Sequence, residues 1–164
     1  MNSDHTKNSI GLQDIGPYYW IGKCKNGIEY FAGQTFTTYH KAVLKTIKLH
    51  PVFVVGFTDM ILNLYELNND KKEWKIVAKE TSVFVDKTVE GQWIEFFIND
   101  VPLDTSKKYG FKVSCKNGGM IAISENPWNV LDPYKGGEEW VGSSVKPDGV
   151  FQKDFDLAFE AIIE

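Results

Sequence analysis

One run of residues constrains this chain more than any other. From Lys108 to Lys116 the side chains alternate without a fault. Tyr109, Phe111, Val113 and Cys115 fall on one side of an extended backbone, and Gly110, Lys112, Ser114 and Lys116 fall on the other. A period of two buries one face of a strand and wets the other, and it does not fit a helix of 3.6 residues per turn. Asn117-Gly118-Gly119 then offers a tight turn, and Met120–Ser124 pairs back as the second arm of a hairpin.

The same reading extends along the chain. Strands are expected near 30–36, 44–49, 61–67, 74–78, 82–85 and 92–98, with a polar hairpin loop at 68–72 and a break at Asn99-Asp-Val-Pro102. The last strand, 154–163, puts Phe155, Leu157, Phe159, Ala161 and Ile163 on one face and turns Asp156 and Glu160 the other way. No window holds a helical period beyond a turn or two. The expectation is an all-β, antiparallel, jelly-roll-like β-sandwich of about eight to ten strands.

The 164 residues suit one domain, divided into a polar tail at 1–16 and a sandwich over 17–164. All 18 basic residues are Lys and the net charge is −4. Without Arg there is no planar fork for phosphate or guanine, so nucleic acid is not an expected partner. No run of eighteen apolar residues is present to span a membrane. The polar start has no secretory h-region, which leaves a cytoplasmic setting open beside an extracellular or surface one. Cys24 and Cys115 lack metal-ligand spacing and read as free thiols, with a disulfide the alternative.

The order of features also carries a resemblance. It runs through Gln34-Thr-Phe36, Leu62-Asn-Leu-Tyr65, Gly91-Gln-Trp-Ile-Glu-Phe-Phe97, Lys108-Tyr-Gly-Phe-Lys-Val113, Pro133-Tyr-Lys-Gly-Gly137 and Lys153-Asp-Phe-Asp-Leu-Ala-Phe159. Over residues 30–160 this resembles the jelly-roll modules of bacterial extracellular and surface proteins and of phage tail proteins. The resemblance implies a non-catalytic module, resembling carbohydrate-binding modules, that takes a glycan or packs on a neighbouring protein domain. It carries no site residue of its own.

Candidate sites come from the residues. No nucleophile elbow, HExxH, P-loop or dinucleotide fingerprint occurs, and His5, His40 and His50 read as surface histidines. The carboxylate pairs Asp154/Asp156, Glu138/Glu139 and Asp100/Asp104 read as solvated edges rather than a glycosidase pair. The segment from Glu125 to Val150 alternates little and is rich in Pro and Gly, which reads as a binding loop. Its Trp128, Tyr134 and Trp140 offer ring faces to sugar C–H groups, with Asn129 and Asp132 among the hydrogen-bonding groups beside them. Tyr18 and Trp20, ahead of the first strand, are expected to add to that surface. No cofactor is expected; Ca²⁺ is the one ion that the oxygens of Glu125, Asp132, Glu138 and Glu139 would suit.

Overall fold

The computed structural model describes residues 8–68 and 73–164. Its strands are β1 (Ser9–Ile10), β2 (Tyr18–Lys23), β3 (Glu29–Phe36), β4 (Ala42–Leu49), β5 (Pro51–Val55), β6 (Thr58–Asn68) and β7 (Glu73–Ile76). They continue with β8 (Thr81–Val85), β9 (Ile94–Leu103), β10 (Tyr109–Lys116), β11 (Met120–Ser124), β12 (Glu139–Ser143), β13 (Lys146–Gln152) and β14 (Phe159–Ile163). Every ladder among them is antiparallel. One sheet has the order β1-β14-β4-β9. The other runs β5-β11-β2-β3-β10-β6-β7, with β12 and β13 added beside β3 and β8 beside β6. The chain is therefore an all-β, single-domain sandwich, with fourteen strands among the described residues rather than the expected eight to ten, because short pieces such as β1 and the β12–β13 hairpin add to it.

The inward faces close on one core. Phe36 and Phe111 from the larger sheet meet Phe159 of the smaller at ring-centroid distances of 6.4 and 5.8 Å. Leu44, Ile47, Leu49, Met60, Leu62 and Phe96 fill in around them, all shut off from solvent. Each such side chain contributes roughly 1.5–3 kcal/mol by leaving water. No helix is long and apolar enough to cross a membrane among the described residues.

Several expectations are corrected. Pro102 does not end a strand: β9 runs through it to Leu103. The chain absorbs the irregularity as a bulge, since Leu44 pairs with Val101 but Thr46 with Phe97, and Asp100 takes φ +49°. As β9 lies at a sheet edge, the missing N–H of Pro102 costs no ladder bond. Within the expected tail, Ser9 and Ile10 pair with Ile162 and Ala161. Tyr18 and Trp20 belong to β2 instead of preceding the first strand. The segment 125–150 is not one loop, because Glu139–Ser143 and Lys146–Gln152 form a hairpin docked on β3. His50 is buried, 5.2 Å from the ring of Trp93, and is no surface residue. Both thiols are free, as their reading from sequence favoured over a disulfide. His5 and Asn69–Lys72 lie outside the described residues.

Candidate functional site

The outward side of β10 explains where the aromatic residues of the larger sheet collect. Register carries one row straight across five strands. Asn63 of β6 stands opposite Lys112, Lys112 opposite Gly33 of β3, Gly33 opposite Trp140 of β12, and Trp140 opposite Phe151 of β13. Gly33 has no side chain, so Lys112 and Trp140 converge over it. The Lys112 ammonium sits 4.2 Å from the Trp140 ring centre, 4.5 Å from that of Phe31 and 5.3 Å from that of Tyr65. Such cation–π contacts contribute roughly 0.5–2 kcal/mol each, more as water is excluded. The same nitrogen donates to the Pro147 carbonyl at 3.1 Å. Burial pushes its pKa below the usual lysine value, and the negative charge of Asp148 partly opposes that.

Trp140 is the floor of this arrangement. It is buried, its indole N–H donates to the Asp148 carbonyl at 2.9 Å, and Trp74 and Phe151 lie over it with centroids at 4.9 and 5.1 Å. Gly110 lets the pair come close: a Cβ there would stand 3.3 Å from ring atoms of both Trp140 and Trp74. At Gly142 a Cβ would collide with the Phe31 ring at 2.5 Å.

Two adjoining hollows result, sharing Tyr65 and Lys112. One, of ≈ 260 Å³, is walled by Tyr30, Phe31 and Tyr65, with Asn63, Ser114, Ser143 and Glu29 among its polar groups. The other, of ≈ 620 Å³, runs over Trp74, Trp140 and Phe151 and has Glu73 and Asp148 on its border. The side chains of Asn63, Ser114 and Ser143 make no hydrogen bond among the described residues, so their donors and acceptors stay uncommitted.

The residues singled out from sequence are distributed differently. Trp140 is brought into the groove but as its floor, and Tyr134 is buried with its ring 5.3 Å from Phe159. Trp128 is 55% exposed and leans edge-on against Phe155. Asn129 is exposed nearby, while Asp132 reaches toward Lys135 at 3.6 Å. Tyr18 and Trp20 gather with Phe53 over Ala122, the Trp20 and Phe53 rings lying 6.5 Å apart and nearly parallel. These are separate clusters, not one loop surface.

The four acidic residues considered for calcium also divide. Asp132 and Glu138 border a hollow that also carries Lys108, Lys135 and Lys153. Glu125 and Glu139 are buried, with Glu139 next to Gln34 in register and facing the interior. Among the described residues no group of three or more His, Cys, Asp or Glu is placed to hold a metal ion.

That interior holds what sequence reading missed. Asp156 and Glu139, both expected at solvated edges, are buried. Asp156 accepts from Gln34 Nε2 at 2.8 Å and from the Tyr134 N–H at 3.1 Å, yet desolvation raises its pKa to about 7. Both oxygens of Glu139 lack a donor among the described residues, and the neighbour in reach is the carboxyl of Glu125. Two carboxylates share a hydrogen bond only when one keeps a proton. Desolvation first, and then Glu125, therefore hold Glu139 far above the carboxylate range. The sequence offers little signal for either: alternation over 154–163 turns Asp156 outward, but strand β14 starts only at Phe159, and Asp156 lies in the irregular stretch before it.

No protein-family model matches the chain, and no curated protein matches it.

Proposed function

We propose that this protein is a non-catalytic binding module that holds a glycan along the two hollows centred on Lys112. The observation that carries this reading is the pairing of ring walls with uncommitted polar groups in one groove. Trp74, Phe151 and Tyr65 present apolar faces suited to sugar C–H groups, while Asn63, Ser114 and Ser143 have hydrogen bonds to give to hydroxyls. A catalytic reading has less support. A glycosidase needs two carboxylates about 5–9.5 Å apart across a bound sugar. Glu125 and Glu139 instead lie beside each other in the interior, and by strand alternation Glu139 points away from the face that carries Trp140. A glycan ligand goes with an extracellular or cell-surface setting.

Tryptophan fluorescence against a panel of soluble polysaccharides, with and without EDTA, tests the reading. A saturable change lost in Trp74→Ala and kept in Trp128→Ala supports it, and EDTA sensitivity brings in a cation. No response across the panel rejects it.

A second reading has its own observation. Val130 and Leu131 are 52% and 71% exposed beside Trp128 in one surface loop, an unusual density of bare apolar side chains. This favours docking on a neighbouring protein domain. Concentration-independent sedimentation as a monomer, with no partner retained by wild type and lost with Leu131→Asp, counts against it.

A further inference from the structure

Resting on the glycan reading above, we infer that the ligand is an acidic glycan, whose uronate carboxylate is received by Lys112 in the smaller hollow while a neutral ring lies over Trp74 and Phe151. Lys112 is a half-buried cation with no carboxylate within ion-pair distance among the described residues. Among the described residues it donates one hydrogen bond, to the Pro147 carbonyl, and otherwise faces the rings of Phe31, Tyr65 and Trp140, so no other oxygen competes with an incoming carboxylate for its N–H groups. An ammonium desolvated in this way gains more from an incoming anion than an exposed lysine does.

The two hollows differ in charge, and this sets the direction of the chain. The smaller one has a single acidic residue, Glu29, which stands directly opposite Lys23 in the β2–β3 ladder. A further lysine, Lys146, stands opposite Ser143 in the β12–β13 hairpin. The larger hollow shares Lys112 but sets Glu73 and Asp148 against it over an aromatic floor, so a carboxylate there meets two like charges where the smaller hollow has one, and a neutral pyranose meets none of this cost. Around the carboxylate, the hydroxyls of Ser114 and Ser143 can donate to its second oxygen.

The test uses the intact protein and pairs of polymers that differ only in the carboxyl: polygalacturonate and polymannuronate, each beside its carboxyl-reduced neutral form. Binding is read by titration of tryptophan fluorescence and repeated at rising salt. The inference expects the acidic polymer to bind at least tenfold tighter than its reduced form, with the difference shrinking as salt rises. In Lys112→Gln the preference should collapse, and in Trp74→Ala both forms should weaken together. If Lys112→Gln does not fold, the comparison of acidic and reduced polymers on the wild type decides alone. Equal or tighter binding of the reduced polymers overturns the acidic assignment and leaves the glycan reading standing. Failure to bind any acidic or neutral polymer overturns both.

Discussion

The buried carboxyl of Glu139 makes the stability of this sandwich depend on pH in an unusual direction. Glu139 is shut off from solvent and held against Glu125, so it keeps its proton in the folded chain at neutral pH. In the unfolded chain the same group ionises near its ordinary value of about 4.3. A folded pKa above the unfolded one gives stability that is complete below the unfolded pKa and is lost as pH rises toward the folded one. One retained proton costs about 1.4 kcal/mol per pH unit, so Glu139 alone removes roughly 4 kcal/mol between about pH 5 and about pH 8. Asp156, raised to about 7, adds to the fall until that pH is passed. Asp86 and Asp104 are shifted downward by their hydrogen bonds to Thr88 and Ser106, so their contribution is lost only under more acidic conditions. Urea denaturation at successive pH values measures the slope. Glu139→Gln keeps the shape and cannot ionise, so the slope should flatten by about one proton. Wild-type stability that is constant or rises over this range, or a variant with the wild-type slope, would refute the reasoning.

Other perturbations follow from the same geometry. Gly142→Ala places a Cβ against the Phe31 ring and the Gly149 backbone, at 2.5 and 2.7 Å. The β12–β13 hairpin must shift, so groove binding should weaken by more than tenfold while the core transition is retained, as seen by comparing titration with thermal melting. Burial raises the Cys115 thiol to about 11, so near pH 8 it should resist a disulfide-exchange reagent in the folded protein. Cys24→Ser should then abolish rapid labelling, and urea should restore one reactive thiol.

Much of the fold was legible because a two-residue period is a local signal. The inward residues Tyr109, Phe111 and Val113 of β10 are fully buried where alternation put them. The features that sequence hid are those set by distant partners. Pro102 reads as a breaker until β9 is known to be an edge strand. Gly142, Pro147 and Gly149 interrupt the alternation of 139–152, so a hairpin looked like a loop; at Gly142 and Gly149 a Cβ would strike the Phe31 ring or neighbouring backbone. Trp140 was singled out as a ring for stacking, and it does lie within the groove, but Trp74 and Phe151 cover it. Lys112 was visible as an outward residue; its three ring neighbours come from β3, β6 and β12, which only register brings together. Asp156 and Glu139 look like ordinary surface acids because nothing local shows that the Tyr134 backbone closes on Asp156 or that Glu139 is set opposite Gln34 on the buried face of β3.

The most direct test of the groove is where a bound sugar is felt. Backbone and indole N–H resonances should be followed in a ¹⁵N-labelled sample during titration with the best oligosaccharide from the polymer panel. The groove account predicts the largest shifts at Asn63, Tyr65, Lys112, Ser114 and the indole N–H of Trp140. Shifts confined to Trp128–Leu131, or to Tyr18, Trp20 and Phe53, would contradict it.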